Sequence, residues 1–454
     1  MHTFSDTIVA LCTPSGPGAL ALIRISGPHA RECVAQCAKF SSGKSASAVP
    51  SHTIHHGFVT DESTVVDEVL FFIMDAPKTF TGEDTIEITC HNNQFIIDAL
   101  IRRLISCGAR LAHKGEFSRQ AVLNNKMDII KAEALNDLIH AQSQQALSLA
   151  MQQMHGSLSA ELKKLEEQLL KSMALCEASF EFLDEDVDFS DQLREQITTS
   201  MQTIELLQKN NASNTIIRQG VRIALIGSVN AGKSSLFNCL IGKQRAIVTP
   251  IAGTTRDVIE AGLYYKGLYW TFADTAGLRT TDDVIEQEGI ERSYREAATA
   301  DIILIIIDGS RIPNAQEIVI YTDLLKTYGH KSINVLNKCD QRIDAPFPFI
   351  IDLAVSAHVN TGIVELQTTL ENRVQNLLEN TSSPYLLTHR QISLLHSVYS
   401  QIQTIQKMLI KKPIAYELVS YHLQEAIATN AELTGKSVSE KMMDTVFKEF
   451  CVGK

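Results

Sequence analysis

The sequence predicts a multidomain protein with α+β and α/β parts: an N-terminal α+β domain, then a helical domain into which an α/β domain is inserted. Three observations predict this. The 454 residues are more than one ordinary core takes up. The texture runs from mixed short strands and helices, to helices, to alternating strands and helices, and back to helices. The composition is 44% hydrophobic and 20% charged with 23 Gly and 11 Pro, which suits a globular protein and excludes collagen, a disordered chain or a coiled coil. Insertion is physically reasonable because domain termini often lie close together.

Residues 1–124 form the first expected domain. The segments 65–74 and 85–89 read as strands. Residues 94–106 carry Phe95, Ile96, Leu100 and Leu104 at helical spacing and stop near Gly108, and 15–18 is a turn. The helical domain begins with 125–218, where Leu158, Leu162, Leu165, Leu169 and Met173 make one apolar face. Its acid-rich stretch 177–191 reads as a solvated helix end and loop. Strands alternate with helices over 219–378. Helix resumes over 379–454, through Ile392, Leu395 and Val398 and then Leu418, Leu423 and Ile427.

Charge and cysteine usage narrow the class. A formal net charge of −11 disfavours a broad electrostatic footprint on nucleic acid, so any such contact is local. The longest aliphatic run, 302–307, is far too short to cross a bilayer. The amino terminus has no basic stretch, so a cytoplasmic protein without membrane association is expected. The 9 cysteines are scattered with no Cys-x-x-Cys pair and read as reduced. Cys33 and Cys37, four apart, are expected on one helix face as buried thiols rather than a metal site.

The chemistry is concentrated in four short segments. Val221, Ile223 and Leu225 alternate as a strand, and Gly227-Ser228-Val229-Asn230-Ala231-Gly232-Lys233-Ser234-Ser235 follows, ahead of an apolar helix. This is a phosphate-binding loop: backbone N–H groups and the helix N-terminus hold phosphates, Lys233 reaches the β- and γ-phosphates, and Ser234 ligands Mg²⁺. Asp274-Thr275-Ala276-Gly277 follows the strand 269–272 and offers an acid near Mg²⁺ and a backbone N–H for the γ-phosphate. Asn337-Lys338-Cys339-Asp340 ends another strand; the Asp340 carboxylate can accept both N1–H and the 2-amino group of guanine, which adenine lacks. Ser356-Ala357 stands where GTPases close over the base. In this order, each at a strand end, the segments specify GTP. A water-orienting Gln after the Asp-x-x-Gly segment is missing, because Leu278 stands there; Asp282, Asp283, Glu286 and Glu288 follow as candidates.

These motifs sit within a wider pattern. Residues 6–10 and 24–27, Phe80-Thr81-Gly82-Glu83-Asp84, 115–118, the GTPase segment 246–257 and the terminal Phe450-Cys451-Val452-Gly453-Lys454 together resemble the tRNA-modification GTPase family called MnmE, or TrmE. The terminal Cys-x-Gly-Lys is the most diagnostic of them.

The resemblance implies an N-terminal folate-binding-like domain through which members form a homodimer, a helical domain, and an inserted Ras-like P-loop G domain. It implies a K⁺-activated GTP hydrolase. With an FAD-dependent partner, MnmG (GidA), members add an aminomethyl-type (carboxymethylaminomethyl) group to carbon 5 of the tRNA wobble uridine. A 5-formyl or methylene tetrahydrofolate is the implied one-carbon donor. On matching positions, folate falls to Arg24, Glu87, Lys126 and Lys454. Potassium falls to Asn230, Thr249, Ile251 and Thr254, Mg²⁺ to Ser234 and Thr255, and the catalytic glutamate to Glu286. Cys451 becomes a candidate functional thiol.

Three positions depart from the family pattern: Val229 replaces a usual Pro, His91-Asn92-Asn93 replaces His-Gly-Gly, and Lys114 replaces a Pro. A left-handed turn at the Asn pair is expected. Two competing functions are a ribosome-assembly GTPase, disfavoured by the missing Gly-x-x-Gly RNA-binding loop and the acidic charge, and a folate-dependent one-carbon transferase with a regulatory GTPase.

Overall fold

A computed structural model describes all residues except 1–5, 15, 63, 182–188, 210–213, 243–258, 275–284, 345, 380–383, 438–439, 449 and 454. In chain order the N-terminal region holds β1 (Ile8–Leu11), β2 (Leu20–Ser26), α1 (Ala30–Ala35), β3 (Ala38–Phe40), β4 (Thr53–Asp61), β5 (Thr64–Met74), β6 (Thr85–His91), α2 (Gln94–Ser106), β7 (Arg110–Leu111) and α3 (Glu116–Leu123). Helices α4 (Ile129–His140), α5 (Gln144–Met154), α6 (Ser157–Glu181), α7 (Ser190–Gln208) and α8 (Asn214–Gln219) follow. The next region holds β8 (Val221–Gly227), α9 (Lys233–Gly242), β9 (Ile259–Tyr265), β10 (Leu268–Asp274), α10 (Ile285–Thr299), β11 (Ile302–Asp308), α11 (Ala315–Tyr328), β12 (Ser332–Asn337), β13 (Leu353–Ala354) and α12 (Ile363–Glu379). The chain ends with α13 (His389–Ile410), α14 (Tyr416–Thr434) and α15 (Glu440–Phe447). It divides into two compact units, Met1–Asn136 with Gln153–Gln202 and Arg390–Lys454, and Asp137–Gln152 with Thr203–His389.

The first unit is built on a seven-stranded sheet of order β3-β4-β5-β6-β2-β1-β7, antiparallel except for the parallel pair β1 and β7. Strand alternation decides its two faces. Ile23, Ile25, Phe71, Ile73, Ile86 and Ile88 point inward and meet Val34 of α1 and Ile97, Leu100 and Leu104 of α2. Arg24 and Glu87, opposite each other in register, point the other way. The face of α2 differs from the expected one. Phe95 is 85% exposed and Ile97 is buried instead, because Phe95 lies about 160° around the helix from Ile97 at ~100° per residue.

Two further local expectations are corrected. Helix α1 ends at Ala35, so Cys37 lies beyond it; both thiols are buried, and the Cys37 thiol donates to the carbonyls of Cys33 and Val34. Neither Asn92 nor Asn93 is left-handed. Asn93 is extended at φ −125° and caps α2 with its side chain, which accepts the Phe95 N–H, a better use of an Asn than a strained turn.

The helices of this unit follow the apolar face read from the sequence. Leu158, Leu162, Leu165 and Leu169 of α6 are buried, as are Val419, Leu423, Ala426 and Leu433 of α14. Asn430 bonds the Leu162 carbonyl and the Cys176 thiol bonds the Tyr416 carbonyl, so the two helices run antiparallel. The second unit carries a six-stranded sheet of order β13-β12-β11-β8-β10-β9, parallel except for β9. Strand β11 is buried along its whole length, as its aliphatic run requires of a central parallel strand covered on both faces. Strand β8 lies between β10 and β11, and the loop leaving its carboxyl end opens where the chain's path over the sheet reverses, the usual ligand crevice of such folds.

Candidate functional site

Strand β8 delivers Gly227 and the loop to α9, which starts at Lys233. Asn230 is left-handed at φ 64°. Gly232 takes φ 90°, and a Cβ there would lie 2.2 Å from Asn337 Nδ2, so only glycine lets the loop pass. The Lys233 side chain is buried, and its ammonium donates to the carbonyls of Gly227 and Ser228 at 2.7 and 2.8 Å. These two bonds curl the side chain back over its own loop. Ser234, half-buried in the first turn of α9, offers a hydroxyl oxygen, a hard donor of the kind Mg²⁺ takes.

The base-side segments converge on the same loop. Asn337 ends β12, donates to the Ala231 carbonyl at 2.9 Å and accepts the Ala357 N–H at 3.2 Å. One amide thereby ties the phosphate loop to both guanine-side segments. Lys338 is left-handed at φ 60°, and its ammonium meets Asp308 at 2.7 Å. Burial pushes the Asp308 carboxyl up, but Lys338 and Ser310 outweigh it and hold it below the ordinary carboxylate range. Asp340 is exposed, and a hydrogen bond with Ser356 keeps its carboxyl low, so it stays an acceptor for guanine N–H groups. The Cys339 N–H bonds the Val355 carbonyl at 3.0 Å, and the Cys239 thiol of α9 bonds the Ala357 carbonyl at 3.1 Å. Sequence spacing carries no sign of these last contacts.

Asp274 ends β10 and Glu286 stands in the first turn of α10; their side chains lie outside the described residues. So do Thr249, Ile251, Thr254, Thr255, Thr275, Ala276, Gly277, Leu278 and Lys454, with the expectations placed on them. Among the described residues no cluster of three or more His, Cys, Asp or Glu is placed to hold a metal ion.

The N-terminal positions form a second group. Arg24 pairs with Glu87 at 2.7 Å across β2 and β6. Its guanidinium lies over the rings of Phe80 and Phe117, at 5.4 and 5.5 Å from their centroids. Lys126 donates to the Pro77 carbonyl at 2.7 Å. The C-terminal tail is seated in this same unit. Phe447 and Phe450 pack with Met443 and Ala132, and the Gly115 N–H bonds the Cys451 carbonyl at 3.2 Å. The Cys12 thiol donates to the Gly453 carbonyl at 3.2 Å. Gly453 takes φ 91°, and a Cβ would lie 2.4 Å from the Leu11 carbonyl, so the glycine of Cys-x-Gly-Lys is required by its seat on β1. Cys451 itself is exposed. Arg110 and Glu116 brace the start of α3 beside the tail at 2.5 Å.

Two family models match the chain. Residues 7–126 match the family model described as GTP-binding protein TrmE N-terminus, and residues 129–451 match the MnmE helical domain. Proteins named tRNA modification GTPase MnmE are 34% identical in Christiangramia forsetii, 35% in Desulfitobacterium hafniense and 36% in Flavobacterium psychrophilum. In each case the match covers 99% of this chain and 99–100% of the relative. Among solved structures, the G domain of the T. maritima FeoB iron transporter is similar over 34% of this chain and 98% of that one, at 24% identity and a TM-score of 0.27.

Proposed function

The chain belongs to the tRNA modification GTPase MnmE family, and on that premise we propose that its GTP hydrolysis is K⁺-activated and drives a modification at carbon 5 of the tRNA wobble uridine. The family membership itself makes the chain a GTP hydrolase acting in tRNA modification. The finer reading adds a homodimer, the FAD-dependent partner MnmG, a tetrahydrofolate one-carbon donor and a cytoplasmic setting. No helix among the described residues is long and apolar enough to cross a membrane.

In hydrolysis, water oxygen bonds to the γ-phosphorus as the β–γ bridging P–O bond breaks, and the negative charge that gathers on the phosphate oxygens is what the Lys233 ammonium offsets. Ser234 would hold the Mg²⁺, with Thr255, and a bound cation supplies charge neutralisation there. Asn230 contributes a carboxamide oxygen at the bend of the loop, a donor suited to K⁺, with Thr249, Ile251 and Thr254. Glu286 orients the water that a Gln would hold in Ras-like enzymes. Folate chemistry suits the N-terminal group: Glu87 would accept the paired N–H donors of a pterin, Arg24 holds that carboxylate in place, and Lys126 adds a second cation. Lys454 joins them, and Cys451 is the candidate thiol.

The observation that carries this reading is the seating of the tail in the N-terminal unit, with Cys451 bonded at Gly115 and Gly453 held at the end of β1, next to the strand that bears Arg24. It supports a site made jointly by the tail and the N-terminal domain. The test is mass spectrometry of wobble nucleosides from cells lacking the chain, together with transfer of label from folate to tRNA with and without the FAD protein. Hydrolysis should be fast in K⁺, slow in Na⁺, and severely reduced by Glu286→Ala with GTP binding near normal. Unchanged wobble nucleosides, or equal rates in the two salts, would refute the reading.

A further inference from the structure

Ser228, the second residue of the loop, has each of its polar groups engaged. Its N–H donates to the Tyr321 phenol oxygen at 2.8 Å. Its hydroxyl accepts from Arg311 Nη2 at 3.1 Å. Its carbonyl accepts from Lys233 Nζ at 2.8 Å and from the Ala231 N–H at 3.2 Å. We propose that Tyr321 and Arg311 are positioning residues for GTP hydrolysis: they pin Ser228, and through its carbonyl they set where the Lys233 ammonium stands against the β- and γ-phosphates.

Both residues are themselves fixed. Tyr321 is 4% exposed and packs edge-on against Phe349. The Arg311 fork is clasped bidentately by Glu317 at 2.5 and 2.9 Å. Glu317 is also the third residue of α11, and its carboxylate accepts the Asn314 N–H while the Asn314 side chain accepts the Glu317 N–H. The cap therefore holds Glu317, Glu317 holds Arg311, and Arg311 holds Ser228. The loop's phosphate-facing donors lie further on, toward α9. The Ser228 N–H is turned the other way, and a donor left without its acceptor there is costly. Fixing the loop before the substrate arrives matters because an ammonium contributes most when it needs no reorganisation in the transition state.

The inference rests on the assignment of 227–235 as the phosphate loop, and the test separates the two. Tyr321→Phe deletes one oxygen and keeps the ring. It should lower kcat about tenfold, with GDP affinity within twofold and a fall in the thermal midpoint of only a few degrees. Arg311→Ala should lower kcat about three- to fivefold, Arg311→Lys should recover part of it, and Arg311→Ala should add nothing in a Ser228→Ala background. Lys233→Ala is the control on the loop itself and should abolish hydrolysis. An unchanged kcat in Tyr321→Phe, or a fall matched by equal loss of GDP affinity and thermal midpoint, overturns the positioning role. An active Lys233→Ala enzyme overturns the assignment of the loop.

Discussion

The nucleotide site and the N-terminal group solve the same problem, holding charged groups against a sheet, in opposite ways. In the second unit most contacts join short motifs at neighbouring strand ends, and one amide, Asn337, ties three of them together. In the first unit the contacts join residues far apart in the chain, the extreme being Cys12 and Gly453, 441 positions apart. A site written as local motifs declares itself to a reader of the sequence. A site assembled from distant pieces shows only residues that have no visible reason to be together.

The largest test of the contrast is at Gly232. Gly232→Ala pushes a Cβ toward Asn337 at a left-handed backbone, so strain and the broken Asn337 bond together should cost about 3 kcal/mol or more of GTP binding. Titration with a fluorescent GTP analogue measures it, and an affinity close to that of the unaltered protein would mean the local motifs do not depend on one another. Asp340→Asn exchanges a double acceptor for an acceptor and a donor. GTP affinity should fall roughly 10–100-fold while xanthosine triphosphate gains, and competition between the two nucleotides reads out the switch.

Gly453→Val sharpens the other side. The side chain collides with the Leu11 carbonyl and should unseat the tail at a cost of about 1–3 kcal/mol. Basal hydrolysis should persist while wobble modification disappears; loss of both would make the two regions one device.

A smaller effect concerns acid. Burial raises the Glu116 carboxyl, but hydrogen bonds from Arg110 and the His113 N–H outweigh it and leave it below the ordinary range. A lowered folded-state value contributes stability above the unfolded pKa of about 4.3 and loses it as pH falls through the folded value. Glu116→Gln should therefore flatten the first unit's stability profile below about pH 4, as melting curves at several pH values would show. The smallest effect is kinetic. Cys451 is exposed and should react first with a thiol reagent, whereas burial pushes Cys37 to about 12 and Cys90 and Cys176 to about 11. Peptide mapping of the labelled protein gives the order.

What the sequence disclosed follows the same divide. Strand β8, the loop after it and the leucine face of α6 were legible because a period of two and a spacing of three or four each have one physical meaning. Phe95 misled because an apolar residue near a helix start can satisfy the spacing and still face water. Asn93 misled because the same residue type suits a left-handed turn and an N-cap. The rings of Phe80 and Phe117 about Arg24, the Cys12 thiol on Gly453 and the grip of Tyr321 on Ser228 have no local pattern at all, since only the fold brings them together.

The tail's place on β1 also has a consequence for how the protein is made. A ribosome delivers residues in order, and the unit that handles GTP is complete in the nascent chain before Gly453 exists. At roughly 5–20 residues per second, about 20–90 s separate the synthesis of Cys12 from that of its partner. Through that interval the growing chain can already have a finished nucleotide switch while the end of β1 still lacks its contact with Gly453. A chain cut short before Gly453 is therefore expected to keep GTP hydrolysis and to lose the contact at Cys12.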